Sequence, residues 1–193
     1  MASAIPKFET MSFDDFEELL LDKPDNERWE LIGGRVIRGM VGARWEHHII
    51  AQNLMVALRS HIKATGRPCR VFQETFFLKR RELDFAVLPD VMVRCGPMEP
   101  ASASVPDPMV VIEVLSPGTE PRDRYDKWDG YRQIPSLQHY VLVHRDRVLV
   151  EIKTRQGTEW TTTVVDDPAA EFALAALDFR MPLAAVYEDV LAG

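Results

Sequence analysis

The chain is short of cysteine, of long apolar runs and of positive charge. Its two cysteines, Cys69 and Cys95, lack Cys-x-x-Cys spacing. They read as two reduced thiols in apolar surroundings rather than as a disulfide or a zinc site. No stretch approaches the roughly 18 apolar residues of a membrane-spanning helix. Residues 1–7 lack the apolar core of a secretory signal, which makes the cytoplasm the expected compartment. Lys and Arg number 23 against 30 Asp and Glu, a net charge of -7 that argues against tight, metal-free, non-specific DNA binding. A local basic strip can still meet phosphate. There is no phosphate-binding glycine loop, no dinucleotide fingerprint and no Gly-x-Ser-x-Gly around Ser116, which therefore reads as a turn residue. No repeat or linker divides the 193 residues, so they are read as one domain, 1–193, with a flexible tail over 1–10.

What is present is a pair of apolar, β-branched runs, each carrying one acid. Leu88-Pro89-Asp90-Val91-Met92-Val93 is the first, and Met109-Val110-Val111-Ile112-Glu113-Val114-Leu115 is the second. An ionised carboxylate on a doubly buried strand costs several kcal/mol or more unless something compensates it. Two such acids on neighbouring strands therefore suggest a shared proton or a shared metal. Hard oxygen donors on a rigid sheet suit Mg2+ or Mn2+.

Ser12 begins a capping-box pattern for a short helix. Residues 28–38 read as a hairpin turning through Gly33-Gly34, with Glu30 an exposed strand acid when read alone. Helical periodicity runs over Trp45–Thr65 and stops at Gly66; His47, near its start, reads as partly exposed. Residues 70–79 read as one strand, 96–108 as a surface loop and 109–115 as a central strand. A helix is expected over 122–133, with Tyr125, Trp128 and Tyr131 as its inward candidates, followed by a strand over 137–144. That order predicts a right-handed parallel crossover. Strands over 147–154 and Glu159–Val165 come next, and a closing helix over 183–191. The last two strands offer edges on which a homodimer could pair.

Lys127 lies four residues after Asp123, which by itself makes an exposed salt bridge. Arg122, Arg124 and Arg132 make the surrounding segment the densest cationic patch. It reads either as a phosphate contact or as a solvated face.

The order of long helix, strand, strand with Pro89-Asp90, strand with Glu113, helix and strand resembles the core of the PD-(D/E)XK nuclease superfamily. Within it, the chain is similar to the Uma-type putative restriction endonuclease family, formerly a domain of unknown function. The matching pieces are Trp29-Glu30-Leu31-Ile32-Gly33-Gly34, His47 with Asn53-Leu54, Pro89-Asp90-Val91, and Val111-Ile112-Glu113-Val114-Leu115-Ser116-Pro117. Asp123 with Lys127 and Tyr131, and His139-Tyr140-Val141-Leu142-Val143, complete the set.

The resemblance implies an α/β (α+β) fold: a restriction-endonuclease-like core whose central mixed sheet is flanked by helices, with an added N-terminal helix and hairpin. It implies a metal-dependent endonuclease hydrolysing DNA. Asp90, Glu113 and the backbone carbonyl of Val114 would bind Mg2+ (or Mn2+), with Glu30 and His47 at matched positions beside them. The superfamily's usual lysine position is Leu115 here, and the resemblance makes Lys127 its substitute. The alternative reading is a non-catalytic nucleic-acid-binding or assembly module on a nuclease fold, which Leu115 and the acidic net charge favour.

Overall fold

The computed structural model describes residues 10–40, 42 and 44–191; the tail expected over 1–10 lies almost wholly outside them. Helix α1 (Phe13–Leu19) begins where Ser12 Oγ accepts the Asp15 amide at 3.2 Å, the bond that the capping pattern predicts. Strands β1 (Glu27–Ile32) and β2 (Arg35–Met40) turn through Gly33 and Gly34 at φ +55° and +79°, the signs that a two-residue hairpin turn requires. Helix α2 (Trp45–Thr65) ends on left-handed Gly66.

Strands β3 (Cys69–Gln73), β4 (Phe77–Arg80), β5 (Phe85–Val87), β6 (Val91–Cys95), β7 (Ser104–Val105) and β8 (Val110–Leu115) come after it. A π-helical stretch, Arg122–Asp126, runs into α3 (Lys127–Tyr131). Then come β9 (His139–His144), β10 (Val150–Gln156), β11 (Glu159–Val165), β12 (Glu171–Leu174), β13 (Phe179–Pro182) and α4 (Leu183–Val186). One sheet runs β2-β1-β5-β4-β7 and a second runs β11-β10-β9-β8-β6-β3. Within the second, β8 and β9 are parallel, as the strand-helix-strand order predicts.

Strand alternation decides where the acids point. Val110, Ile112 and Val114 of β8 pack with Val91, Val93 and the α2 residues Ile50, Leu54 and Leu58. Val111, Leu115 and Met92 face the other way, onto Ile32, Phe85 and Val87 of the first sheet. Asp90 shares the parity of Met92, and Glu113 that of Val111, so both fall on the side facing the first sheet. Glu30 shares the parity of Ile32 and points back toward them from β1. The outer face of the first sheet, Trp29 and Leu31, is closed by Phe13 and Phe16 of α1. The residues linking β5 to β6 carry the chain from one sheet to the other at Asp90.

Several expectations need correction. The run 70–79 is not one strand: it divides into β3 and β4, which belong to different sheets. The loop over 96–108 holds the short strand β7, parallel to β4. Tyr125 is 68% exposed, because the wider π-helical turn resets the phase on which its inward placement rested. The closing helix spans only Leu183–Val186, and the hairpin β12–β13 before it was not foreseen. Strand β10 lies inside its sheet, so β11 alone of the two is an edge. Cys69 and Cys95 are joined as a disulfide; the antiparallel register sets them directly opposite, which their separation in sequence conceals.

Candidate active site

Four carboxylates and one ammonium are buried together where the sheets face each other: Glu30 at 3% exposure, Asp90 at 6%, Glu113 and Lys127 at 2%, and Asp123 at 3%. Lys127 Nζ lies 3.0 Å from Glu113 Oε1, 3.2 Å from Asp123 Oδ1 and 3.4 Å from Glu30 Oε1. Its pairing with Asp123 is as the spacing predicts, but the pair is buried rather than exposed. The crossover brings α3 back over β8, which places the ammonium beside Glu113. Tyr131, one turn further along, donates to Glu113 Oε1 at 2.7 Å.

Asp90 is held by two donors. Its Oδ2 accepts the Val114 amide at 2.7 Å and lies 3.0 Å from His47 Nε2. Glu30 Oε1 accepts the Leu88 amide at 2.8 Å. Glu30 is therefore no exposed strand acid; His47 is partly exposed, as its sequence reading has it, and is bound to Asp90. Arg28 adds a second cation, 3.5 Å from Glu30, 3.7 Å from Glu74 and 4.0 Å from Asp90. Sequence reasoning missed Arg28, although its position two residues before Glu30 on one strand puts it on the same face.

The electrostatics are uneven. Burial works against charge on Asp90, yet the hydrogen bond and charge of His47, with Arg28 and Lys127 behind them, hold it below the usual carboxylate range. His47 is raised in return: burial opposes its protonation, and Asp90 outweighs burial. Burial likewise penalises the charged Glu30, and Lys127 and Arg28 overcome the penalty. Glu113 is the exception. Burial pushes it up, Lys127 pulls it down, and the charges of Asp123, Asp90 and Glu30 push it up again, to about 8. Lys127 is raised: burial disfavours its charge, and Glu113, Glu30 and Asp123 more than restore it.

These residues line a cleft of about 1060 Å³. Arg122 lines it, and its Nε is buried with no hydrogen-bond partner among the described residues. The other two arginines are not brought there. Arg124 is bound to Glu120 at 2.7 Å and to Glu151 at 2.9 Å, and Arg132 pairs with Asp129 on the exposed surface.

The donor set suits one kind of ion. Among the described residues no three His, Cys, Asp or Glu side chains form a metal-holding group. Asp90 and Glu113 make a two-carboxylate set, and hydrogen bonds among the described residues reach only Asp90 Oδ2 and Glu113 Oε1. Mg2+ takes one or two carboxylates and relies on water and phosphate for the rest, so the residues fit it. The Val114 carbonyl belongs to a residue that also lines the cleft.

A mixed sheet with Glu113 on β8 and Asp90 at the entry to the adjacent β6, crossed over to a parallel neighbour, is a restriction-endonuclease-like fold. A crystal structure of a putative nuclease belonging to DUF820 from Anabaena variabilis superposes with a TM-score of 0.75, covering 94% of this chain and 99% of that one at 21% identity. The model of the Uma2 family, described as putative restriction endonuclease, matches residues 13–184. The chain belongs to that family. Two uncharacterized proteins of Synechocystis are similar: one is 30% identical over 161 residues, 80% of this chain and 88% of its own length. The other is 29% identical over 137 residues, 70% of each.

Proposed function

We propose that the protein is a metal-dependent phosphodiesterase that hydrolyses DNA internally, with Mg2+ or Mn2+ held by Asp90, Glu113 and the Val114 carbonyl. The observation that carries this reading is the Lys127 ammonium at 3.0 Å from Glu113 Oε1. It supplies from α3 the cation that Leu115 cannot supply from β8. A bound divalent ion offsets charge at the scissile phosphate and lowers the pKa of a coordinated water.

The protein's own groups divide the remaining work. Lys127 keeps its proton beside three carboxylates, so it is not a general base. It orients a water at Glu113 and stabilises the negative charge that develops on phosphorus oxygens. Tyr131 and Lys127 both hold Glu113 Oε1, which fixes the carboxylate's rotation. His47 and the Val114 amide fix Asp90 in the same way. Glu30 anchors Lys127 from the facing sheet, and its bond to the Leu88 amide keeps that anchor rigid. Arg122, whose Nε has no hydrogen-bond partner among the described residues, would take a phosphate oxygen beside the scissile one.

Metal-dependent cleavage of plasmid and oligonucleotide DNA tests the reading. Glu113→Gln is expected to lower the rate at least ~10³-fold with an unchanged far-UV spectrum. Activity surviving that change removes the assignment. Titration calorimetry separates the alternative of a non-catalytic module: no heat with millimolar Mg2+ or Mn2+ favours the module.

A further inference from the structure

We infer that Arg28 is a phosphate-binding residue of this site, held beside Asp90 as its counter-charge until a divalent ion takes over that role. The inference rests on the phosphodiesterase reading above and adds to it a residue and an order of binding.

Geometry comes first. Asp90 Oδ2 is taken up by His47 and the Val114 amide. Its other oxygen, Oδ1, faces Arg28 Nη1 at 4.0 Å. That is the oxygen left for an ion, so Arg28 and an ion compete for it. The same nitrogen lies 3.7 Å from Glu74 Oε2, and Nη2 lies 3.5 Å from Glu30 Oε1. At these separations none of the three contacts is a hydrogen bond. Acids surround the guanidinium without fixing it. Arg124 and Arg94 differ: each donates to a carboxylate, at 2.7 Å to Glu120 and 2.9 Å to Asp107, as an arginine that ties elements together does.

Arg28 also has room to move. The register sets it opposite Gly39 of β2, so no side chain covers it from that position, and both residues line the cleft. Asp90 lies at the floor, its side chain 7% exposed, and Glu74 nearer the mouth at 35%. The Arg28 side chain reaches from one to the other.

Charge gives the order. Burial opposes the charge of Arg28, and Glu30, Asp90, Glu113 and Glu74 outweigh burial. Those acids keep the guanidinium inward in the metal-free protein. Once Asp90 and Glu113 share a dication, Arg28 loses the pull of both and is repelled from Asp90. Its planar fork then turns to a phosphate oxygen, the partner such a fork fits.

Calorimetric titration of the full chain with MnCl2 tests the competition. Arg28→Met is expected to bind Mn2+ about tenfold more tightly than wild type. In Ca2+, fluorescence anisotropy is expected to show the same variant binding a labelled DNA duplex about tenfold more weakly. A residue that only holds the strands together would not move the two affinities in opposite directions. Arg28→Lys keeps the charge and loses the fork. It is expected to bind Mn2+ within about threefold of wild type and DNA more weakly, and it carries the test if Arg28→Met does not fold. Mn2+ bound by wild type but no more tightly by Arg28→Met overturns the inference and leaves the phosphodiesterase reading standing. DNA bound by either variant as tightly as by wild type does the same. A wild type that binds neither Mn2+ nor Mg2+ removes that reading and the inference with it.

Discussion

Lys127 and Arg124 stand three residues apart on one helical segment, and each faces a group of acids. Arg124 sits between Glu120 and Glu151, with His144 at 3.0 Å, where solvent still reaches. Its hydrogen bonds hold Glu151 down at about 2 against a modest burial penalty. Lys127 meets three carboxylates inside the protein, yet Glu113 stands at about 8. One cation satisfies its partners and the other does not, because burial costs more there and the acids outnumber it. A satisfied network of this kind holds two elements together. An unsatisfied one, recessed in a cleft, marks a place where further positive charge is stabilised, as pKa values displaced by burial and like charges do at functional sites.

The widest separation between the two regions is expected in catalysis. Lys127→Met should lower DNA hydrolysis about 10²- to 10³-fold, whereas Arg124→Met should leave it within about threefold. Equal losses in steady-state rates would collapse the distinction. Removing the buried ammonium also strands three carboxylates, so Lys127→Met is expected to cost about 3–5 kcal/mol in urea denaturation.

The pH dependence of stability separates them by sign. Glu113 is raised in the folded state, so its contribution is unfavourable once the unfolded chain ionises above about 4.3. The penalty grows until the folded group ionises near 8. Glu151 is depressed, so its favourable contribution is complete above the unfolded value and is lost as pH falls through about 2. Without metal, the melting temperature should therefore fall between pH 5 and 8, and Glu113→Gln should flatten that slope. Glu151→Gln should leave it and soften the acid limb instead. A wild-type melting temperature that rises over the same range would contradict the Glu113 assignment.

Smaller effects sharpen the picture. A Cβ on Gly130 would collide with the Phe85 ring, so Gly130→Ala should cost ~1–3 kcal/mol by overpacking. It should also lower kcat more than it changes KM, since α3 must shift and carries Lys127 with it. Arg124→Met, with partners near the surface, should cost about 1 kcal/mol.

Much of this was legible in the residues. The Gly33-Gly34 turn, the span of α2 and the parallel crossover each arise from local chemistry or periodicity. Asp90 and Glu113 stood out because acids interrupt apolar strands. What could not be read was depth. Glu30 looks like any strand acid until a second sheet is laid over it, and the Lys127–Asp123 pair has the spacing of countless surface bridges. The division of 70–79 between two sheets turns on the bend at residues 74–76, which the aromatic run hides. The disulfide depends on β3 and β6 being register partners, and the exposure of Tyr125 on an extra residue in one turn.

That extra residue carries a consequence for the site. A π-helical turn is an α-helical one lengthened by a residue, and Arg122–Asp126 sets the angular phase between Asp123 and Lys127. Deleting any one of those five residues would swing the chain on its N-terminal side by about 100° relative to α3. Point substitutions on the exposed side of this segment are cheap, but insertions and deletions are not. The segment's length is therefore a tighter constraint on the site than the identity of its exposed residues.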